Sequence, residues 1–424
     1  MFELLHANSA QPASERLVLT LIYQLVAILA VTHVVVRAAR RFLGQTEVSG
    51  EILAGLVMGP SCLAALFPGP MAAMFPAASA PVLTVLAQLG LIFLMFEIGL
   101  SFEFGNVLGD GRNTVMAVAV FGLVVPFALG FWSADWFLDR LPGQRPQELG
   151  FRLFFATAMS ITAIPILGRI FIELRLAHTR MATIVLTAAA IEDVGGWVLL
   201  GVVGAVVQSR FSGLALVARL LLVAAYMAVL FFGVRPLLKR YALPRPVMVM
   251  ALLASAAATS HLGIFAIIGA FSLGVALHDH RDFAREWTAR MSPFVRAVLL
   301  PVFFTYTGLR TDIGSLGTAG LWGLCLLVIA VAFAGKFGGA YLGARVAGES
   351  HRDGMVIGVC MNTRALMELI AINTGYDLGV LPKSMFTMLV LMAIASTFIT
   401  TPLVRWLMRH EAAAESVPAH LATS

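Results

Sequence analysis

Long apolar segments separated by short polar ones run through most of the chain. An α-helix rises about 1.5 Å per residue, so roughly 20 apolar residues cross the hydrocarbon core of a membrane. Apolar segments of about this length predict thirteen membrane-spanning helices, near residues 17–36, 48–66, 82–100, 114–132, 151–173, 181–207, 214–234, 246–260, 261–278, 293–309, 318–342, 354–375 and 385–406. The pattern therefore predicts an all-α polytopic membrane protein.

The composition agrees with this interpretation, because 59% of the 424 residues are hydrophobic and only 12% are charged. A soluble protein of this length needs more charge to keep its surface in water. The three cysteines show neither a disulfide framework nor metal-ligand spacing. No nucleotide-binding or hydrolase motif occurs in the sequence. We therefore expect a function within the membrane, with no cofactor, no nucleic-acid partner and no enzyme activity.

The distribution of arginine and lysine predicts the orientation. With the N-terminus outside, the loops and helix ends facing the cytoplasm hold most of the basic residues, as the positive-inside rule requires. The outward-facing stretches hold only Arg16, Arg140, Arg145, Arg210, Arg310 and Lys383. We expect an inner-membrane protein whose transmembrane domain covers residues 1–409 and whose short tail, 410–424, lies in the cytoplasm.

Two predicted spans contain polar, helix-disrupting interruptions near their centres. The fifth reads "ATAMSITAIPILGRIF" and places Ser160, Thr162 and Pro165 in the middle of the membrane. The twelfth reads "VIGVCMNTRALMELIAINTG" and includes Asn362 and Arg364. Paired interruptions in two halves of a chain are typical of transporter sites, where the ends of half-helices contact the ion. The alternative is a simple proline kink that neighbouring helices stabilise.

Two adjacent acids, Glu192 and Asp193, lie in the apolar stretch "TAAAIEDVGGWVLLG" of the sixth span. They lie about 17 Å along the predicted helix, in the middle of the bilayer, where a charged side chain costs at least ~2.5–3.5 kcal/mol. Burial raises the pKa of a carboxylate and a nearby cation lowers it, so such a group can exchange a proton for a metal ion. The alternative is a permanent structural salt bridge.

Possible partners of the acids lie in the eleventh and twelfth spans. Lys336, in "AFAGKFGGAYLG", can pair with Glu192, carry a proton itself, or extend to the cytoplasmic surface. Arg364 is a second possible partner of Glu192. Arg364 and Glu368 are four residues apart, so they can also pair with each other on one helix face.

Four segments carry a resemblance to a known family: "VSGEILAGLVMGPS" at 48–61, "SITAIPILGRIFIELRLAHTRMATIVLTAAAIEDV" at 160–194, "PVFFTYTGLRTDI" at 301–313 and "MNTRALMELIAINTGYDLGVL" at 361–381. In these segments the chain resembles the monovalent cation:proton antiporter-2 family. That family includes bacterial sodium/proton antiporters, Kef-type potassium efflux systems and plant cation/H⁺ exchangers. The resemblance implies an inverted-repeat fold in which a core, here about 114–207 and 318–406, moves against a scaffold that usually forms a homodimer.

The resemblance also implies roles for individual residues. Asp193 matches the ion-carrying acid, and Lys336 matches the lysine that pairs with the first acid of the pair. Thr162 and Asn362 match positions at the crossing of the two interrupted helices. With Ser160, they are expected to supply neutral ligands or to cap the interrupted helices, while Arg364 and Glu368 form a supporting salt bridge.

The sequence departs from the family pattern at Glu192, where the usual residue is Asp, Asn or Gln. The frequent "GLE" after the third span is "GLS" here, at residues 99–101. The sequence also lacks the nucleotide-binding motifs of Kef-type systems, so gating by nucleotides is not expected.

The expected function is the exchange of Na⁺ or K⁺ for protons by alternating access. Two alternatives stay open at this point: a cation-coupled solute symporter and a channel-like K⁺ efflux pathway.

Overall fold

The computed structural model describes residues 12–43, 47–101, 111–143, 145–162, 167, 171, 179–209, 213–240, 245–364 and 366–415. Every regular element in these ranges is helical. In these ranges, nine stretches are long and apolar enough to cross a membrane: Ser14–Leu43, Ser49–Leu66, Pro68–Leu100, Arg112–Leu138, Arg180–Gln208, Gly213–Leu238, Arg281–Leu316, Ala319–Val346 and Lys383–Val404. The prediction of an all-α polytopic membrane protein is therefore confirmed.

The α-helices are numbered here along the chain. They are α1 (Ala13–Leu43), α2 (Glu47–Met58), α3 (Leu63–Leu66), α4 (Pro68–Met74), α5 (Ala80–Leu100), α6 (Arg112–Leu138), α7 (Glu148–Ser160), α8 (Arg180–Gln208), α9 (Gly213–Ala228), α10 (Arg235–Arg240), α11 (Arg245–His261), α12 (Ala266–Ala276), α13 (Arg281–Phe294), α14 (Leu300–Arg310), α15 (Ala319–Val346), α16 (His351–Met361), α17 (Leu366–Asp377) and α18 (Lys383–Glu415). Short π-helices, Val229–Val234 and Val295–Leu299, connect α9 to α10 and α13 to α14.

The four predicted spans that do not coincide with any of these nine long stretches contain shorter helices. The eighth and ninth correspond to α11 and α12. The twelfth holds two helices, because α16 ends at Met361 and α17 begins at Leu366. In the fifth, α7 ends at Ser160, and the predicted kink at Pro165 lies outside the described residues.

The helix α13 was not predicted from the sequence. It is rich in charge, so it shows no long apolar segment, and the predicted spans leave residues 279–292 between the ninth and the tenth. The helix nevertheless buries Trp287, whose ring lies 4.8 Å from Phe96 and 6.1 Å from Phe93 between ring centroids. A single large aromatic residue in a charged helix gives a weak signal in a hydropathy profile.

The described residues divide into two compact units. The first lies within Met1–Ala38, Gly50–Phe104 and Gly201–Gly314. Its helices approach closely where glycine meets backbone: a Cβ atom added to Gly274 would collide with the Phe96 carbonyl. Small residues at helix interfaces of this kind are typical of packing inside membranes.

The second unit lies within Ala39–Ser49, Gly105–Leu200 and Ser315–Ser424 and contains all the candidate site residues. Its helices α6 and α15 pack along Gly335, Gly339 and Gly343, which are spaced four residues apart. Any Cβ at these glycines would crowd the backbone or side chains of α6. This close approach brings Lys336, on α15, to the backbone of α6.

Candidate functional site

The C-terminal end of α7 forms one wall of the site. After Ser160 the chain becomes extended, with φ −76° and ψ 144° at Ile161, so the last carbonyls of α7 need partners from outside the helix. The Ser160 hydroxyl donates to the Thr157 carbonyl at 2.9 Å, and the Lys336 ammonium donates to the Ser160 carbonyl at 2.5 Å. A positive charge at this position also complements the negative end of the helix dipole.

Arg364 binds two more of these carbonyls. Its Nη1 donates to the Ala158 carbonyl at 2.8 Å, and its Nη2 donates to the Met159 carbonyl at 2.7 Å. Nη1 also lies 3.2 Å from Glu368 Oε1, and both side chains are fully buried. The Thr397 hydroxyl donates to the backbone carbonyl of Arg364. Arg364 therefore fastens the irregular segment between α16 and α17 to the end of α7.

Lys336 and Glu192 form a completely buried ion pair, with Nζ 2.6 Å from Oε2. Nζ also donates to the carbonyls of Gly122, at 2.7 Å, and Ser160. An ammonium group has three donors, and all three are used here. Glu192 is thus paired with Lys336 rather than with Arg364, and Lys336 does not extend to the surface.

Thr162 connects this pair to the second interrupted span. Its hydroxyl donates to Glu192 Oε2, and its Oγ1 lies 3.4 Å from the Met361 carbonyl at the end of α16. The segment that follows α7 is therefore in contact with the end of α16.

Asp193 and Asn362 are buried but keep unused hydrogen-bonding capacity. Asp193 is only 6% exposed, and among the described residues its Oδ1 has no hydrogen-bond partner. Asn362 is fully buried, and within the same set neither its Oδ1 nor its Nδ2 has one. Buried polar atoms are normally paired, so these atoms can serve a ligand that has lost its water.

Backbone carbonyls contribute to the site in two places. The Ser160 hydroxyl donates to the Thr157 carbonyl, while the carbonyl of Ser160 accepts from Lys336, and the expected role of Ser160 as a neutral ligand or cap stays a prediction. Gly122 was not predicted at all, although its carbonyl binds Lys336. A proline four residues later, Pro126, was the available sequence signal.

A second polar cluster connects helix ends in the same unit. Glu349, between α15 and α16, accepts hydrogen bonds from Thr114 Oγ1 at 2.8 Å and from Arg180 Nη1 and Nη2 at 2.9 and 2.7 Å. Arg345 Nη1 donates to the Glu349 carbonyl at 2.5 Å. These hydrogen bonds, chiefly those from Arg180, lower the pKa of Glu349 below its ordinary value.

The site combines interrupted membrane helices with two buried carboxylates, of which Glu192 is paired with a lysine and Asp193 is not. This combination indicates the class of ion-translocating membrane transporters. Residues 26–410 match the family described as "Sodium/hydrogen exchanger, transmembrane", and the chain belongs to this family. Its members are monovalent cation/proton antiporters, so the protein is a membrane transporter and not an enzyme.

Named relatives come from bacteria, plants and yeast. The chain is 36% identical over 374 residues to the Na⁺/H⁺ antiporter NhaS4 of Synechocystis, covering 85% of this chain and 90% of that protein. It is 30% identical over 417 residues to the K⁺/H⁺ antiporter 1 of Saccharomyces cerevisiae, covering 94% of this chain and 47% of that protein. It is 29% identical over 373 residues to the Na⁺/H⁺-K⁺ antiporter GerN of Bacillus cereus, covering 86% and 90%. The chain thus spans most of the bacterial relatives but about half of the yeast one.

The fold is similar to that of the sodium proton antiporter MjNhaP1 from Methanocaldococcus jannaschii, with a TM-score of 0.65. The match covers 92% of this chain and 97% of that structure at 16% sequence identity.

Proposed function

We propose that this protein exchanges Na⁺ or K⁺ for protons across a cell membrane, and that Asp193 carries the cation and the proton in turn. Membership of the exchanger family supports the reaction type. Relatives named for Na⁺, for K⁺ and for both support a monovalent alkali cation without selecting one.

The unequal pairing of the two adjacent acids carries this proposal. Glu192 has its charge balanced by Lys336 at 2.6 Å, whereas Oδ1 of Asp193 has no hydrogen-bond partner among the described residues. A buried, unpaired carboxylate is costly unless it is protonated or binds a cation. Asp193 therefore alternates between these two forms, and competition between proton and cation for one carboxylate couples their transport.

The surrounding residues complete the coordination of the cation and set the charge of the site. The amide oxygen of Asn362 is a neutral ligand for the dehydrated cation. Glu192, Lys336 and Thr162 fix the local charge and geometry on one side. Ser160 contributes through its carbonyl, which accepts from Lys336, and Arg364 with Glu368 holds the two interrupted helices where they cross.

The transport cycle uses alternating access, in which the core around residues 114–207 and 318–406 moves against a scaffold within a homodimer. The thirteen predicted spans, arranged as two inverted repeats, give this core its two crossing helices. The N-terminus faces outward and the residues after 409 face the cytoplasm. The similarity to the MjNhaP1 fold supports the architecture, and the distribution of basic residues supports the orientation.

Exchange in proteoliposomes tests this function. A lumen more acidic than the bath is established, and Na⁺, K⁺, Li⁺ or choline is added outside. We expect at least one alkali cation to make the lumen alkaline in the wild type, choline to have no effect, and Asp193→Asn to abolish the response. The matched control is Asp282→Asn, at a fully exposed carboxylate on α13, which should exchange like the wild type.

The same vesicles separate the alternatives. A channel would carry alkali cations without a coupled change of lumen pH, and a solute symporter would leave the lumen pH unchanged unless its solute were added. Folded wild-type protein that responds to none of the cations would contradict antiport.

A further inference from the structure

Gly122 on α6 contacts the ion pair, and Pro126 lies four residues later in the same helix, although α6 contributes no charged side chain to the pair. Pro126 lies inside this helix, and proline has no backbone N–H. The carbonyl four residues earlier, that of Gly122, is therefore without its usual helical donor. This carbonyl is the one that accepts a hydrogen bond from Lys336 Nζ at 2.7 Å.

Gly122 also determines the space beside Glu192. A Cβ atom on Gly122 would overlap Glu192 Oε1. The collision involves the carboxylate of a fully buried side chain whose other oxygen is held by Lys336 and Thr162, so the carboxylate cannot simply rotate away. The missing side chain at position 122 thus matches the length of the acid at position 192.

The neighbouring helix α15 packs closely against α6 on both sides of Lys336. Gly335, next to Lys336, would meet Pro126 and Leu129 if it carried a Cβ atom, and Gly339 would meet the Phe121 carbonyl. The lysine therefore approaches α6 at a place where the helix has both a free carbonyl and no side chain.

We propose that Gly122 and Pro126 are positioning residues of the exchange site: Pro126 frees a backbone carbonyl to hold the Lys336 ammonium, and Gly122 makes room for the glutamate that this chain has at position 192. Their effect on transport rests on the proposed function, whereas the steric match between positions 122 and 192 does not. An aspartate at 192 is shorter by one methylene group and does not need the space that Gly122 leaves.

A double-mutant cycle tests the steric match. We expect Gly122→Ala to reduce exchange by about tenfold or more, because overpacking a dense interior costs about 1–3 kcal/mol. Glu192→Asp introduced into the Gly122→Ala protein should restore much of this loss. Gly338→Ala, on the neighbouring helix α15 and with nothing within 4 Å of its added Cβ, is the matched control and should exchange like the wild type.

The same cycle is measured by thermal unfolding of the purified proteins, which does not depend on transport. Gly122→Ala should lower the unfolding temperature, and the double variant should recover part of it. Failure of wild-type exchange together with this pattern would contradict the proposed function and leave the steric match supported. Wild-type behaviour of Gly122→Ala, or a double variant no better than Gly122→Ala in both measurements, would overturn the proposal.

Pro126→Ala tests the role of the free carbonyl. The new N–H at position 126 donates to the Gly122 carbonyl, which then holds the Lys336 ammonium less strongly. A less firmly held ammonium offsets less of the negative charge beside Asp193, which favours both the cation and the proton on that carboxylate. Above the midpoint of the pH profile, the KM for the cation should therefore fall about threefold, and the midpoint should move about half a unit to higher pH. A lower maximal rate with an unchanged pH midpoint would assign Pro126 a purely structural role and overturn this part of the proposal.

Discussion

The ammonium of Lys336 lies 2.6 Å from Glu192 Oε2, and neither side chain has any exposed surface. The same ammonium binds the carbonyls of Gly122 and Ser160, so the Lys336 side chain connects helices α6, α7, α8 and α15. A buried ion pair needs such additional partners, because desolvation of two charges offsets most of their attraction.

Removing Lys336 should therefore destabilise the protein strongly. We expect Lys336→Met to lower the free energy of unfolding by about 3–5 kcal/mol, because it leaves the charge of Glu192 buried without a cationic partner. Thermal unfolding in detergent measures the loss. The double variant Lys336→Met/Glu192→Gln, which removes both charges, should be clearly more stable than the single one. Equal stability of the two variants would show that the ion pair is not the cause.

Arg364→Lys tests the attachment of the second interrupted span to the end of α7. The guanidinium reaches the Ala158 and Met159 carbonyls together, whereas lysine presents a single ammonium and cannot reproduce this fork. We expect a loss of about 1–3 kcal/mol in stability and a matching fall in exchange. Arg352→Lys, at an exposed position on α16, should change neither. Indistinguishable stability and exchange in the two variants would contradict this role of Arg364.

Thr162 should act through its hydroxyl group rather than through its size. Thr162→Val keeps the shape but removes the donor to Glu192 Oε2, so stability should fall by about 1–3 kcal/mol and exchange should weaken. Thr162→Ser keeps the donor and should retain most of both. A serine variant as poor as the valine variant would indicate that the methyl group, and not the hydrogen bond, is what matters.

The cluster around Glu349 predicts a pH dependence of stability. Hydrogen bonds from Arg180 lower the pKa of Glu349 in the folded protein relative to the unfolded chain. The stabilisation is therefore complete above the ordinary pKa of the carboxyl, about 4.3, and is lost as the pH falls through the lower folded value. The wild type should unfold at a higher temperature than Glu349→Gln, by a constant amount between about pH 6 and about pH 8. The two unfolding temperatures should converge under acid conditions. A difference that grows on acidification would contradict this assignment.

The sequence predicts the helical membrane fold because long apolar segments have few other structures available in lipid. It does not predict α13, since the helix depends on a single buried aromatic residue, Trp287, within a charged stretch. The lengths of helices also differ: α18 extends to Glu415, beyond the predicted end of the last span at 406. Polar ends of membrane helices carry no apolar signal that would define them.

For the site, the sequence draws attention to the acids and to Lys336 because charge is rare in apolar segments. It leaves the partner of Glu192 open, since Lys336 and Arg364 are far from position 192 along the chain and only packing selects between them. The contributions of the Ser160 and Gly122 carbonyls are harder still to predict, because backbone groups are the same at every position. Only the proline four residues after Gly122 distinguishes that carbonyl in the sequence.

Proton release on cation binding tests the central claim most directly. Alkali chloride is added to purified protein in weakly buffered detergent solution, and the pH is followed in the wild type and in Asp193→Asn. We predict that Na⁺ or K⁺ releases protons from the wild type, that choline does not, and that Asp193→Asn releases none. Equal proton release from Asp193→Asn and the wild type would show that the proton and the cation do not compete for Asp193.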